Sequence, residues 1–250
     1  MAKQLKPLPK ISVKIWRPII DKLDEKLDAA CLRRDAFLNR VLETELDYLD
    51  EEVSIPNSVA AQSFIAQQLD QLDRKLVSLA LRPDLVQRLH EICERKRIVR
   101  DAFFNRLFLL LAASPKVVDR LVFEGAATSW RTEVWSEFKN DGPFFQNGFY
   151  PLEPVIDPFW AIRAGLELYS ADQEIEELEI SGKTIKVHKG LSGPYPVDSL
   201  YTLFFREKLK DGDIRGINCY VPDWEVPGDP AEIAHRRKLD ELFTELEPIS

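Results

Sequence analysis

The apolar and polar positions of the first 112 residues follow one order twice. Residues 11–15 alternate between apolar and polar side chains, which predicts a strand with one buried face. Apolar residues then recur every three or four positions, which predicts two helices, one starting near Pro18 and one running from about Arg33 to Tyr48. The same order returns in residues 77–81, 85–92 and 102–110.

The two copies are related by one ungapped offset. Residues 34–41 (RDAFLNRV) and residues 100–107 (RDAFFNRL) are separated by 66 positions and share six of their eight residues. The same offset also superimposes the alternating runs and the first helix of each copy. An internal duplication of a strand-helix-helix unit is therefore the main organising feature of the chain.

The duplicated unit resembles the ribbon-helix-helix superfamily, the Arc, MetJ and CopG type of DNA-binding module. The resemblance covers about residues 8–112. It implies an intramolecular pseudo-dimer in which the strand near 10–16 pairs with the strand near 76–82 to form an antiparallel ribbon above four helices. The expected fold is mainly α with α+β, a tandem ribbon-helix-helix pseudo-dimer followed by a small α+β domain.

The resemblance also implies that the ribbon enters the major groove of double-stranded DNA, where base pairs display distinguishable donors and acceptors. The first strand can donate to guanine, whereas the second offers mostly apolar contacts, so the expected half-site is asymmetric. The alternative is a scaffold that has lost DNA binding. The expected base-contacting residues are Lys10, Ser12 and Lys14 in the first copy and Leu76, Ser78 and Ala80 in the second.

Phosphate contacts are expected at two places. The basic arm contributes Lys3 and Lys6, and the start of the second helix of each unit contributes Arg33, Arg34 and Arg100. An acid lies in each first turn and would repel phosphate. Surface ion pairs therefore remain the alternative for these arginines.

Charge is divided unevenly along the chain. The net charge is −8, but residues 1–112 hold 19 Lys and Arg against 17 Asp and Glu, whereas residues 113–250 hold 15 against 25. The three cysteines give no disulfide framework and suit a reducing compartment. Without an 18-residue apolar run or a secretory signal, we expect a cytoplasmic protein that does not contact a membrane.

The second half has a different composition. Helices are predicted over residues 116–139, 158–168 and 230–246, a loop over 141–158, a hairpin around Ser181-Gly182, and strands at Leu200–Phe205 and Gly216–Val221. The predicted divisions are a basic arm (1–9), repeat 1 (10–48), a linker with a helix (49–74), repeat 2 (75–113) and a C-terminal α+β domain (114–250).

Signals for enzymatic chemistry are weak. None of the three histidines has closely spaced metal-ligand partners, and Cys219 is more simply a buried structural cysteine on a strand. No phosphate-binding glycine motif or nucleophile elbow is present. We expect no catalytic residues, no metal and no cofactor.

The resemblance favours a sequence-specific DNA-binding protein, a transcriptional repressor or autoregulator that self-associates because one chain supplies one ribbon. Two alternatives stay open. One is an antitoxin-like or other protein-interaction role, with a partner bound by residues 114–250. The other is an accessory protein of plasmid transfer or partition.

Overall fold

The computed structural model describes residues 8–123, 157–170, 174–180, 182–191, 193–206, 208–209 and 212–246. The predicted mixed class, mainly helical with small antiparallel sheets, is confirmed. The helices are α1 (Arg17–Ala29), α2 (Arg34–Glu52), α3 (Val59–Asp70), α4 (Pro83–Lys96), α5 (Arg100–Ala112), α6 (Pro115–Phe123), α7 (Trp160–Ser170) and α8 (Pro230–Leu246). The strands are β1 (Lys10–Trp16), β2 (Arg74–Ala80), β3 (Ile175–Ile180), β4 (Lys183–Gly190), β5 (Gly193–Pro196), β6 (Lys208–Leu209) and β7 (Gly212–Asp213).

Strands β1 and β2 form a two-stranded antiparallel ribbon. Their pairing was predicted, although β2 begins two residues earlier than the duplication suggests. Ser12 lies opposite Ser78, which is its own equivalent 66 positions later. The register is therefore symmetric with respect to the duplication, and the centre of symmetry passes between these two serines.

The helices of the two units pack against each other crosswise. Helix α1 contacts α5, and α2 contacts α4, so each first helix packs on the second helix of the other unit. The break between helices also repeats, because Cys31 (φ 55°) and Arg97 (φ 51°) occupy equivalent positions in the left-handed region. Each unit therefore buries its apolar face mainly against the other copy.

The linker helix α3 forms as predicted and begins at a capping residue. The hydroxyl of Ser58 accepts a hydrogen bond from the backbone N–H of Ala61 (3.0 Å). The helix packs against a 3₁₀ turn, Ile214–Ile217. Glycine is required in that turn, since a Cβ on Gly216 would lie 2.3 Å from the backbone nitrogen of Leu69.

One apolar core runs from Val13 in β1 to Val226 near the end of the chain. Asn57 is fully buried and joins the linker between the repeats to the later part of the chain. Its amide donates to the carbonyl of Cys219 (2.8 Å), and its oxygen accepts from the N–H of Val221 (3.0 Å). The later part of the chain is thus built onto the duplicated region. No helix among the described residues has the length and apolar character to cross a membrane.

Two predictions for the second half are wrong. Residues 200–205 form a turn rather than a strand, and residues 216–221 lie in the 3₁₀ turn and the irregular segment after it. Both stretches are rich in apolar residues because they pack against helices, not because they pair in a sheet. The hairpin is confirmed as β3 and β4, with Gly182 at φ 77° in its turn.

Three further predictions concern helices and loops. The helices at 158–168 and 230–246 are confirmed as α7 and α8. The helix predicted over 116–139 is seen only as α6, because the remainder, with the loop predicted over 141–158, lies mostly outside the described residues. Cys219 is buried but lies outside any strand.

Candidate nucleic-acid interface

The outer face of the ribbon carries the six residues predicted to read bases. Lys14 lies opposite Leu76, and Lys10 lies opposite Ala80. The side chain of Leu76 is 66% exposed, and Ala80 is partly buried. The other four residues of this face are exposed, while Val13 and Leu79 on the opposite face are buried. The ribbon thus has one apolar face in the core and one face in solvent, as its alternation predicted.

Two equivalent asparagines attach the ribbon to the helices. Asn39 in α2 donates to the carbonyl of Ala80 (2.9 Å) and accepts from the N–H of Arg82 (2.7 Å). Asn105 in α5 donates to the carbonyl of Lys14 (2.9 Å) and accepts from the N–H of Trp16 (2.8 Å). Each asparagine binds the strand of the other unit, so the ribbon cannot shift without breaking both pairs.

Sequence reasoning missed both asparagines, although a signal was available. They occupy the same position of the eight-residue segment that is conserved between the two copies, on the buried side of a helix. A buried side-chain amide must find partners for its donors and its acceptor. A repeated asparagine among apolar neighbours therefore indicates a repeated backbone contact.

Arg34 and Arg100 also contact the ribbon. Arg100 donates to the carbonyl of Ser12 (2.9 Å), and the equivalent Arg34 donates to the carbonyl of Ser78 (3.4 Å). Arg34 forms an ion pair with Asp24 at 3.1 Å as well. Both guanidinium groups thus lie beside the centre of the ribbon, where they hold its backbone. Their predicted phosphate contacts stay a prediction.

The remaining predicted phosphate residues differ in their setting. Arg33 is exposed immediately before α2, and its side chain forms no hydrogen bond or ion pair with any residue in the described ranges. Lys3 and Lys6 lie outside the described residues. Neither α2 nor α5 has a side-chain N-cap, so the N–H groups of their first turns lack that partner.

The cations that flank the ribbon are mostly neutralised. Arg17 pairs with Asp73 (2.9 Å), Lys75 pairs with Asp21 (3.3 Å), and Arg74 pairs with Asp70. Within the described part of the chain, the ammonium groups of Lys10 and Lys14 have no ion pair. The unpaired positive charge of the ribbon therefore lies on its outer face.

Beside the ribbon is an open cleft of about 430 Å³. Lys14, Arg74, His90 and Arg100 contribute its basic groups, and it reaches the N-terminus of α5. Asp70 and Asp101 also line it, so the cleft combines both signs of charge.

A buried ionic cluster lies at the other end of α2. Arg163 of α7 donates to both carboxylate oxygens of Glu45 (3.2 and 2.7 Å), to Glu52 (3.0 Å) and to Asp157 (2.8 Å). The hydroxyl of Tyr201 donates to Glu45 at 2.5 Å. Burial raises the pKa of Glu45 to about 7, and Arg163 acts against that rise. This cluster was not predicted, because its members are up to 156 residues apart and share no local pattern.

Arg106 has no acidic partner within the ranges that the structure describes. It is fully buried, donates to the carbonyl of Leu200 and to Asn218 (3.0 Å), and lies over the ring of Phe205 (3.7 Å to the centroid). Burial lowers its pKa to about 10. These contacts give Arg106 a structural role within the fold.

Cys219 is also a fully buried residue of the core. Burial raises the pKa of its thiol to about 12, so the nucleophilic thiolate is disfavoured.

Searches against protein-family models, curated proteins and solved structures find no match to this chain.

Proposed function

We propose that the chain is a sequence-specific double-stranded DNA-binding protein of the ribbon-helix-helix type, acting in the cytoplasm as a repressor or autoregulator. In this proposal both units of the pseudo-dimer belong to one polypeptide. The ribbon lies in the major groove, and the surrounding basic groups contact phosphates.

The solvent-facing side of the β1–β2 ribbon is the observation that carries the proposal. Two unpaired lysines, Lys10 and Lys14, lie there beside the Ser12–Ser78 pair, on a backbone held by Asn39 and Asn105. Donors on a rigid ribbon suit the acceptors of guanine in the major groove. A solvated scaffold would not need its ribbon fixed from both sides.

Phosphate contacts follow from the uncapped helix starts. The first-turn N–H groups of α2 and α5 carry the positive end of the helix dipole, and Arg33 and Lys14 stand near those ends. Asp35 and Asp101 reduce this attraction. We therefore propose that phosphates position the ribbon and that its outer face supplies specificity.

The test is selection of bound sequences from random duplex DNA, followed by affinity measurement at two salt concentrations. The double variant Lys10→Ala/Lys14→Ala should lower affinity for the selected site by about thirtyfold or more, because each good base contact is worth about 1–3 kcal/mol and two contacts are lost. Lys116→Ala is the matched control, since this exposed lysine lies in α6, beyond the end of α5 opposite the ribbon. Equal loss in both variants, or no selected motif, would contradict the proposal.

A gain-of-symmetry variant tests the same interface. Leu76 is the equivalent of Lys10 and is exposed, so Leu76→Lys makes the two strands more alike without disturbing the core. We expect the selected half-site to change from asymmetric towards palindromic, with an added guanine preference on one side. An unchanged motif would show that Leu76 does not face the bases.

Self-association is part of the proposal, because a single ribbon reads only one half-site. The C-terminal end of helix α8 is the surface we assign to a second copy of the chain, since the neighbouring residues Leu242 and Phe243 are exposed on it. Phe243→Glu should convert the assembly to a monomer in sedimentation velocity, while the exposed neighbour Lys238→Glu should not. A monomeric unmodified chain would refute this part.

A further inference from the structure

A cavity of about 580 Å³ lies at the end of α2 that is remote from the ribbon. Its volume is within the range of small-molecule sites, about 300–1,000 Å³. Three parts of the fold enclose it: the end of α2, helix α7 with the β3–β4 hairpin, and the segment Val197–Leu200. It is distinct from the ribbon and from the open cleft beside the ribbon.

The walls offer an apolar surface to a ligand. The apolar lining residues come from every side of the cavity, and the ring of Tyr48 adds an aromatic wall on which Arg163 lies (3.5 Å to the centroid). A ligand with an apolar body would be desolvated there. The apolar lining residues are Leu166, Ile175, Ile185, Val197 and Leu200.

The charges of the lining determine the sign of the ligand. Glu51, Glu167 and Asp198 form no hydrogen bond or ion pair through their side chains with the residues that the structure describes. The cations are fewer: Lys186 is exposed at the rim, and Arg163 is already bound to Glu45, Glu52 and Asp157. The unsatisfied lining groups are therefore mainly anionic.

Two groups in the wall lack the partners that burial demands. The carboxyl of Asp198 is partly buried, and burial raises its pKa even though His188 and Arg206 act to lower it. The hydroxyl oxygen of Ser54 is buried and has no hydrogen-bond partner among the residues that the structure describes. An N–H donor with a positive charge would satisfy both types of group.

We propose that this cavity binds a small organic cation, an amine or guanidinium attached to an apolar body. The charged end lies against Asp198 and Glu51, and the apolar body lies against Leu166 and Ile185. The proposal rests on the cavity itself and does not depend on DNA binding.

The test is ligand-observed NMR on the full chain, without DNA, using matched sets of probes. Each set holds an amine, a neutral alcohol and a carboxylate on the same body; 2-phenylethylamine, 2-phenylethanol and 3-phenylpropionate form one set, and branched alkyl equivalents form others. We expect saturable binding of amines with a preference of about tenfold or more over the carboxylates, equivalent to about 1.4 kcal/mol.

Two variants and one control locate the binding. Asp198→Asn keeps the shape of the side chain and should weaken amine binding by about tenfold, and Leu166→Trp should abolish it by filling the cavity. Asp28→Asn makes the same chemical change on the exposed face of α1 and should leave binding unchanged. Circular dichroism and thermal unfolding establish that each variant is folded; Asp198→Asn alone decides the case if the tryptophan variant is not.

Three results would overturn the proposal. One is that no amine in the sets binds saturably. Another is that the carboxylates bind better than the amines. The third is that amine binding survives unchanged in folded Asp198→Asn, because the negative charge would then have no part in recognition.

Discussion

Arg106→Ala is expected to lower the free energy of unfolding by about 3–5 kcal/mol, the range found when buried polar networks and large buried side chains are truncated. Three losses combine in this variant. The carbonyl of Leu200 and the oxygen of Asn218 lose a charged donor, and the ring of Phe205 loses the group stacked on it. A cavity also forms in a region where the arginine side chain is fully buried.

The duplication supplies the matched control. Arg40 is the equivalent of Arg106, but its side chain is 39% exposed and lies 3.9 Å from Glu43. Arg40→Ala should therefore cost less than about 1 kcal/mol. Urea unfolding followed by circular dichroism measures both variants. Similar losses for the two would show that the burial of Arg106 contributes little to stability.

The contrast between these arginines shows what the sequence can and cannot determine. Both stand in the same local segment, so local pattern gives them the same helix and the same position on it. Only Arg106 is covered by the later chain, through Leu200 and Asn218. These two contacts join residues that are 94 and 112 positions apart in the sequence. They produce no periodic pattern, so only the structure shows them.

The ribbon could be predicted because its signal is local in the sequence. Alternation in residues 11–15 and 77–81 reflects a strand with one face in the core, and the resemblance of the duplicated unit to ribbon-helix-helix proteins indicated which strand pairs with which. The strands predicted at 200–205 and 216–221 are wrong, because these short apolar stretches are buried by packing on helices and not by pairing in a sheet. Apolar periodicity reports burial, and it reports secondary structure only where the period is sustained.

The candidate sites also differ in whether a local pattern or distant elements form them. The exposed face of the ribbon was predicted residue by residue from period two, whereas the cavity and the cluster around Arg163 were not. Their walls join α2 to α7 and to the β3–β4 hairpin, and each element alone carries ordinary surface acids and hydroxyls. A single sequence contains no signal for such a meeting of distant elements.

Arg163→Met is expected to be the second strongly destabilising change, again by about 3–5 kcal/mol near neutral pH. The side chain of Arg163 is only 10% exposed and neutralises Glu45, which is fully buried, and Glu52. Methionine retains much of the volume and apolar contact with Tyr48 but removes the charge. Two carboxylates are then left in the interior without their cation.

The cost should depend on pH, and its sign follows from Glu45. Burial raises the pKa of this carboxyl from 4.5 to about 7 in the folded chain, and Arg163 works against that rise, so the variant has a still higher pKa. A carboxyl whose folded pKa exceeds its unfolded pKa stabilises the fold below the unfolded value. That contribution is lost as the pH rises through the folded pKa. Below about pH 7 the folded forms of both proteins carry a protonated Glu45, so the deficit of the variant should be nearly constant there and should grow above about pH 7.

A double variant separates charge from packing in this cluster. Glu45→Gln removes the buried negative charge while keeping an acceptor for the hydroxyl of Tyr201. In the Arg163→Met background it should recover a large part of the lost stability and flatten the pH dependence, because the unpaired buried carboxylate is then gone. Denaturant unfolding of the four proteins of this cycle at several pH values gives the coupling energy. A deficit that is the same at every pH, or no recovery in the double variant, would mean that Arg163 stabilises the fold by its packing and not by its charge.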